Sequence, residues 1–195
     1  MQVGVLAVQG AFAEHKMMIE NLGYSCREIR KKEDLSDIDG IILPGGESTV
    51  QGKLIESLGI EDILRNKINE GLPVLATCAG LILLAENIVN DENVYLGTMP
   101  VRVKRNAYGR QLGSFERKAD IKGFGEYPMI FIRAPFIESA EDEKVDILAD
   151  VDGRAVAAVY RNQIGLAFHP ELTNDCRIHR AFLDRVKKYD TEIKR

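Results

Sequence analysis

The sequence predicts an α/β fold, a three-layer sandwich with a largely parallel central sheet plus antiparallel strands at its edge. The N-terminal half alternates short apolar runs with segments of helical periodicity, the pattern of parallel strands joined by helices. The C-terminal half contains short, β-rich runs, which favour antiparallel and mixed strands. At 195 residues the chain is within single-domain range, and residues 1–195 are predicted to form one domain.

In the N-terminal half, apolar runs bounded by turn residues predict the strands, and amphipathic patterns predict the helices. Strands are expected at residues 2–8, 24–29, 41–43 and 73–76. Helices are expected at residues 12–22, 49–58, 61–70 and 81–85, and Ser48 is the predicted N-cap of the second helix. His15 lies on the first helix, where we expect it to be exposed or at an interface.

The C-terminal half predicts further strands that extend the edge of the same sheet. These are expected at residues 101–104, 115–121, 129–132, 145–149, 156–160 and 164–168. A C-terminal helix is expected at residues 176–189, with an apolar side formed by residues such as Phe182 and Val186. Cys176 and His179, near its start, are interpreted as structural or exposed residues.

Composition excludes several classes of function. The net charge of −4 argues against nucleic acid as a partner. No apolar run approaches ~18 residues and the N-terminus lacks a basic segment, so neither a membrane span nor a signal peptide is expected. The three cysteines lack CxxC spacing, which speaks against a disulfide framework and a zinc site. We therefore expect a cytoplasmic protein without a metal or cofactor.

Residues 73–85 have the layout of a nucleophile elbow. An apolar strand leads into a sharp turn with Cys78 at its tip, and a helix of strong helix formers follows. Such a turn needs small neighbours two residues before and after the nucleophile, and Ala76 and Gly80 meet this need. A helix N-terminus favours a thiolate over a thiol. The alternative is a buried, inert cysteine in an α/β core.

The segment FHPELT, residues 168–173, supplies a possible base and its orienting carboxylate. Pro170 biases His169 toward extended backbone, in which residues i and i+2 point to the same side. His169 and Glu171 can therefore form the imidazole–carboxylate part of a catalytic triad. Taken alone, the pair also fits a surface histidine beside a helix-capping glutamate. With Cys78 in the same chain, the three residues indicate covalent catalysis.

A third segment, GIILPGGEST at residues 40–49, can provide an oxyanion site. Its two glycines allow backbone N–H groups to turn into a cleft. Elbow-type hydrolases pair the N–H that follows the nucleophile with one from a neighbouring loop. The predicted donors are therefore Ala79 and Gly46, although a pair of glycines alone also fits a plain turn.

The segments LPGGEST, TCAG and FHPELT, in this order and spacing, resemble the class I, triad-type glutamine amidotransferases, whose fold is flavodoxin-like. VQGAF, RNAYGRQLGSFE and FIRAP make the chain similar to the glutaminase subunits of pyridoxal 5′-phosphate synthases. The resemblance covers residues 4–186 and implies hydrolysis of L-glutamine to L-glutamate and ammonia. It also implies a hetero-oligomer with a barrel-type synthase subunit that uses the ammonia to make pyridoxal 5′-phosphate.

The resemblance further implies which residues hold the substrate. The residues that would line the glutamine pocket are Gly46, Glu47, Ser48, Arg105, Ile132 and Arg133. A guanidinium such as that of Arg105 can bind an α-carboxylate with two parallel hydrogen bonds. The partner is expected to dock near Gln9, Gly10 and the first helix, and to bring the PGGES loop into its productive shape.

The chain departs from the family pattern at two places. Ala76 stands where the elbow usually begins with glycine, and Lys104 and Gly113 stand where acidic residues are more usual. Three alternatives remain open at this point: a cysteine peptidase or deglycase of related architecture, a glutaminase serving histidine or purine synthesis, and a binding module without catalysis. The last would be expected to lack a triad member.

Overall fold

A computed structural model describes residues 1–106 and 113–193, so part of the RNAYGRQ motif lies outside the described residues. The described residues form a mixed ten-stranded sheet and a separate two-stranded sheet.

Among the described residues, strands and helices alternate in the N-terminal half, and strands predominate in the C-terminal half. The strands are β1 (Gln2–Leu6), β2 (Ser25–Ile29), β3 (Gly40–Leu43), β4 (Val74–Thr77), β5 (Ala85–Ile88), β6 (Met99–Lys104), β7 (Ser114–Ile121), β8 (Gly125–Ile132), β9 (Phe136–Ala140), β10 (Asp146–Val151), β11 (Arg154–Tyr160) and β12 (Gln163–Leu166). The α-helices are α1 (Phe12–Asn21), α2 (Ser48–Ser57), α3 (Glu61–Asn69), α4 (Ala79–Leu84) and α5 (Arg177–Ile193). Among the described residues, two 3-10 helices span Lys32–Leu35 and Pro170–Leu172.

The order in the large sheet is β2-β1-β3-β4-β12-β11-β9-β6-β5, with β10 paired to β11. Pairs among β1, β2, β3, β4 and β12 are parallel, while β11 pairs antiparallel with its neighbours. This agrees with the predicted fold class.

Helices cover the two faces of the central strands. Gly40 of β3 lies against Phe182 and Val186 of α5, whereas Gly165 of β12 lies against Leu81 of α4. The strand registers place these two glycines on opposite faces, because side chains alternate along a strand. Helix α1 contacts α5 through His15 and His179, and α2 packs on α4. Strands β3 and β4 are buried along their whole length, as expected for parallel strands covered on both sides.

The parallel strands β3, β4 and β12 end at the same edge of the sheet. Leu43 is paired with Ala76, and Leu166 is paired with Thr77. The loops that follow these three strands carry the predicted oxyanion, nucleophile and base residues, respectively. Ligands bind at this carboxyl edge in open α/β sheets, so the topology brings the three predicted segments together.

The structure differs from the sequence prediction in several elements. Strands β7 and β8 pair with each other in their own sheet instead of extending the large one. The helix predicted at residues 81–85 begins earlier and ends at Leu84, and it is followed directly by β5, whose first residue, Ala85, was predicted as helix. Strand β9 was not predicted. No helix among the described residues is long and apolar enough to cross a membrane.

Candidate active site

A cleft of about 310 Å³ lies at the carboxyl edge of the sheet. It contains most of the residues predicted for the site, contributed by loops that are distant in sequence. The predicted residues that line it are Gly46, Glu47, Ser48, Cys78, Ala79, Arg105, Ile132, Arg133 and His169. Glu171 lies behind His169 and is buried. The cleft is also lined by the segment from Gln9 to Ala11.

Cys78 sits in a strained backbone conformation at the start of α4. Its φ of 50° and ψ of −102° lie outside the ordinary allowed regions for a residue with a β-carbon. Such outliers cost about 1–3 kcal/mol and persist where the surrounding structure enforces them. The close packing of Gly80 helps to enforce this conformation, since a β-carbon on Gly80 would collide with the backbone oxygen of Leu43. Ala76 is fully buried in β4, so its methyl group is accommodated at the turn.

His169 is oriented from both its backbone and its side chain. Its backbone N–H donates to the carbonyl oxygen of Ile130 in β8 at 2.8 Å. Its Nδ1 lies 2.7 Å from Oε1 of Glu171. The other ring nitrogen, Nε2, is buried without a hydrogen-bond partner of standard geometry among the described residues. The carboxylate therefore holds the Nδ1 side of the imidazole, and the ring also interacts with Cys78.

His169 and Glu171 each affect the pKa of the other. Burial lowers the pKa of His169, but its interactions with Cys78 and Glu171 outweigh burial and raise that pKa to about 10. Burial raises the pKa of Glu171, but the neighbouring His15 and the hydrogen bond with His169 bring it below its ordinary value. The site thus favours a protonated imidazole between an ionised carboxylate and the sulfur.

The PGGES loop is held by the segment that follows β1. The backbone N–H of Glu47 donates to Oε1 of Gln9 at 2.8 Å, and Nε2 of Gln51 donates to the carbonyl oxygen of Gln9 at 2.9 Å. The N–H of Ala11 donates to the carbonyl oxygen of Gly45 at 2.9 Å. Gly45 approaches His169 so closely that a β-carbon would collide with the imidazole ring.

The prediction that Ser48 caps α2 is wrong. Glu47 is the N-cap, and its carboxylate accepts hydrogen bonds from the N–H groups of Thr49 at 3.2 Å and Val50 at 2.8 Å. Burial opposes ionisation, but these hydrogen bonds and Arg105 lower the pKa of Glu47 below its ordinary value. Ser48 is instead the first residue of the helix and is buried beside the cleft.

Arg105 reaches the cleft from the end of β6 and is held by polar partners. Its Nη1 lies 2.9 Å from a carboxylate oxygen of Asp91, and its Nη2 donates to the hydroxyl of Tyr95 at 3.1 Å. Its Nε is buried and has no hydrogen-bond partner among the described residues. Arg105 therefore has a guanidinium held by Asp91 and Tyr95, and its Nε–H is not engaged by the described residues.

Ile132 and Arg133 border the cleft where β8 ends. The sulfur of Cys78 lies 3.8 Å from the carbonyl oxygen of Ile132. Arg133 has a φ of 44°, in the left-handed region, and its backbone N–H donates to Gly113. Strand β8 thus contacts both Cys78 and His169, because it also holds the backbone of His169 through Ile130.

His15 was predicted to be exposed or at an interface, and this is wrong. It is fully buried beside the candidate triad. Its Nε2 lies 3.3 Å from Oε2 of Glu171 and 3.1 Å from the hydroxyl of Thr77, and its Nδ1 lies 3.0 Å from Nε2 of His179. A sequence signal existed: His15 is three residues after Phe12 and four before Ile19, so it shares their helix face.

The buried imidazole of His179 predicts an acid-dependent loss of stability. Burial, aided by His15, lowers the pKa of His179 from 6.5 to about 3, although Glu171 opposes the shift. Between pH 6.5 and about pH 3, residue 179 binds a proton in the unfolded chain but not in the folded chain, so the free energy of unfolding falls as pH falls. In His179→Leu, the slope of the unfolding free energy against pH is expected to decrease by up to about 1.4 kcal/mol per pH unit between about pH 6 and 4.

Urea unfolding at a series of pH values measures this slope. Gln163→Leu is the matched control, since Gln163 is a buried neutral side chain that hydrogen-bonds to Thr98, away from the cleft. The control is expected to lose stability with an unchanged slope. Equal slopes in wild type and His179→Leu would contradict the prediction.

The chemistry of the cleft is that of a nucleophilic site. Within residues 1–106 and 113–193, no group of three or more His, Cys, Asp or Glu side chains is arranged to hold a metal ion. Cys78 shares the cleft with His169, whose other nitrogen is held by Glu171. This is the arrangement that activates a thiol for covalent catalysis.

Comparison with solved structures identifies the fold. A crystal structure of a glutamine amidotransferase matches the chain with a TM-score of 0.90 at 44% identity, covering 95% of this chain and 98% of that one. A crystal structure of a glutamine amidotransferase from Thermotoga maritima matches with a TM-score of 0.63 at 13% identity, covering 100% of this chain and 84% of that one, which supports the fold alone. The class is therefore that of the class I glutamine amidotransferases, as predicted.

Sequence comparison narrows this class to a family. The model of the SNO glutamine amidotransferase family matches residues 5–188. The chain belongs to the SNO glutamine amidotransferase family. It is 60% identical over 187 residues to "Pyridoxal 5′-phosphate synthase subunit PdxT" of Desulfitobacterium hafniense (strain DSM 10664 / DCB-2), covering 95% of this chain and 94% of the relative. It is 50% identical over 191 residues to the protein of the same name from Haemophilus influenzae (strain PittGG), covering 96% and 99%.

Proposed function

We propose that the chain is a glutaminase that hydrolyses L-glutamine to L-glutamate and ammonia, using Cys78, His169 and Glu171. We further propose that it passes the ammonia to a barrel-type pyridoxal 5′-phosphate synthase subunit in a hetero-oligomer. Family membership and the names of the relatives support the class of reaction and the partner. The observation that carries the catalytic assignment is the strained Cys78 sharing a cleft with an imidazole that Glu171 holds at 2.7 Å.

The reaction proceeds in two stages. The Cys78 thiolate attacks the side-chain amide carbon of glutamine and forms a tetrahedral intermediate. The protonated His169 gives its proton to the nitrogen, the carbon–nitrogen bond breaks, and ammonia leaves behind a γ-glutamyl thioester. Neutral His169 then takes a proton from water as the water attacks the thioester, and the carbon–sulfur bond breaks to release glutamate and the thiolate. Glu171 keeps the imidazole oriented in both stages.

The backbone N–H groups of Gly46 and Ala79 are the proposed donors to the oxyanion. Ala79 begins α4, so its N–H is one of the groups at a helix N-terminus that have no partner within the helix. Gly46 lines the cleft on the opposite loop. Removing one such donor typically costs about 10²–10³ in turnover.

The proposed glutamine pocket extends from Cys78 toward Arg105. The α-carboxylate of glutamine would accept charge-assisted hydrogen bonds from the guanidinium of Arg105, which lines the cleft. Backbone groups of Gly46 and Glu47, together with Ser48, would border the substrate on one side. Ile132 and Arg133 would border it on the other.

The contacts of the PGGES loop support dependence on a partner. Its N–H at Glu47 and its carbonyl at Gly45 are engaged by Gln9 and Ala11. A synthase subunit that docks on this segment can change the loop by competing for these hydrogen bonds. Docking also suits the product, because ammonia released into water at neutral pH is protonated and loses its nucleophilicity.

Ammonia release and pyridoxal 5′-phosphate formation test the proposal. The chain should release ammonia slowly from glutamine when alone and severalfold faster with the synthase subunit. Glutamine should then support pyridoxal 5′-phosphate formation. An ammonium salt supplied to the synthase alone is the control, since it bypasses the glutaminase. No release in either condition would overturn the proposed reaction, and a fast rate unchanged by the synthase would overturn the dependence on a partner.

A further inference from the structure

A second group of buried polar side chains lies behind the three proposed triad residues. His15 and His179 are each fully buried, and so is Thr77, the residue that precedes Cys78. The polar contacts run without a break from His169 through Glu171 to His15 and then to His179. These residues come from the 3-10 helix at residues 170–172 and its N-cap, α1 and α5, so the contacts tie three separate elements together.

The protonation of this chain follows from its geometry. His15 is in contact with Glu171 through Nε2, and a bare nitrogen lone pair facing a carboxylate oxygen would be repulsive. Nε2 of His15 therefore carries the proton and lies between Oε2 of Glu171 and the hydroxyl of Thr77. Its Nδ1 must then accept from Nε2–H of His179 at 3.0 Å. His179 thus sets the tautomer of His15, as a carboxylate does for a catalytic histidine.

His15 lies beside Oε2 of Glu171, the carboxylate oxygen that does not contact His169. Oε1 of Glu171 is engaged by His169, while no described group makes a hydrogen bond of standard geometry to the buried Oε2. The N–H of His15, 3.3 Å away, is the donor that lies beside it. A buried carboxylate with one oxygen that lacks a nearby donor would be stabilised by rotating toward another donor. Such a rotation would take Oε1 away from the imidazole.

We propose that His15 is a positioning residue of the glutaminase site: it holds Glu171 against His169 and, through Thr77, fixes the end of the strand that carries Cys78. This inference rests on the proposed function. His15 touches neither the cleft nor the reacting atoms, so its effect must pass through Glu171 and Thr77.

Steady-state kinetics with the synthase subunit test the proposal. His15→Leu removes the donor and is expected to lower kcat about 10- to 100-fold, the size of a lost hydrogen bond to a charged group, while KM for glutamine changes little. His15→Gln retains an N–H near the position of Nε2 and should recover most of kcat. Gln163→Leu, the buried polar-to-apolar control, should lose stability without loss of kcat.

A double-mutant cycle separates positioning from a general loss of structure. If His15 acts through Glu171, His15→Leu should cost much less in a Glu171→Gln background than in wild type. A purely structural role predicts the same cost in both backgrounds and no recovery in His15→Gln. Either of those results, or a kcat for His15→Leu within threefold of wild type, would overturn the inference.

Alkylation of Cys78 gives a readout that does not require glutaminase activity. Labelling by iodoacetamide, followed by mass spectrometry of the peptide with Cys78, is expected to be severalfold slower in His15→Leu at neutral pH, because a misplaced imidazole stabilises the thiolate less. An unchanged rate would count against His15. A wild type that is labelled rapidly and yet releases no ammonia would instead overturn the proposed function.

Discussion

Replacing Cys78 with alanine is expected to abolish ammonia release from glutamine, by at least ~10⁴-fold, because it removes the covalent route and leaves only binding and the oxyanion donors. Folding should survive, since alanine is smaller and Cys78 lines the cleft. The measurement is glutamate formation in the presence of the synthase subunit. An ammonium salt should still support the synthase, which shows that the synthase subunit in the assay is active.

Cys26→Ala is the matched control for this substitution. Cys26 is a half-buried thiol in β2, outside the cleft, and burial raises its pKa to about 12. Its removal should leave the rate unchanged. Substantial activity in Cys78→Ala, or loss of activity in Cys26→Ala, would contradict the assignment of the nucleophile.

Because Cys78 has a positive φ, Cys78→Gly should be more stable than Cys78→Ala by about 1 kcal/mol.

Replacing His169 with alanine is expected to lower kcat/KM by about 10³–10⁴, because the leaving ammonia and the attacking water both lose their proton carrier. The sulfur of Cys78 also loses the imidazole with which it interacts. Rapid-quench detection of the γ-glutamyl thioester separates the two stages, since both its formation and its hydrolysis should slow.

The triad should act as a unit, which gives a second check on His169. The variant with both His169→Ala and Cys78→Ala should be no slower than Cys78→Ala alone, since each change disables the same route. Retention of kcat/KM within tenfold in His169→Ala would contradict its role as base. Additive losses in the double variant would indicate that the two residues act independently.

The central strands were predictable because burial on both faces leaves a continuous apolar run. Residues 73–76 and 41–43 have this form, and the small residues after each run predicted the loops of the cleft. Strand β5 was missed because residues 85–88 follow a run of strong helix formers, and propensity does not show where packing ends a helix. The separate sheet of β7 and β8 was missed because alternation indicates a strand but not its partner.

The candidate site was predictable where a local motif implies its own geometry. The spacing of His169 and Glu171 implied a pair on one side of the chain, and the structure has such a pair at 2.7 Å. The capping role of Glu47 depends on where α2 begins, which varies by a residue or two in any sequence pattern. The burial of His15 depends on α5 covering α1, a long-range contact that no local pattern contains.

The support of His169 by β8 has a consequence for how the enzyme would lose activity. The N–H of His169 is held by Ile130, yet β8 pairs only with β7 among the described strands and not with the large sheet. The amide protons of this hairpin should therefore exchange with solvent sooner than those of β3 and β4, through openings that leave the rest of the domain folded. If His169 is the base, mild heating or low denaturant would then inactivate the enzyme by releasing His169 from Ile130, well below the midpoint of global unfolding.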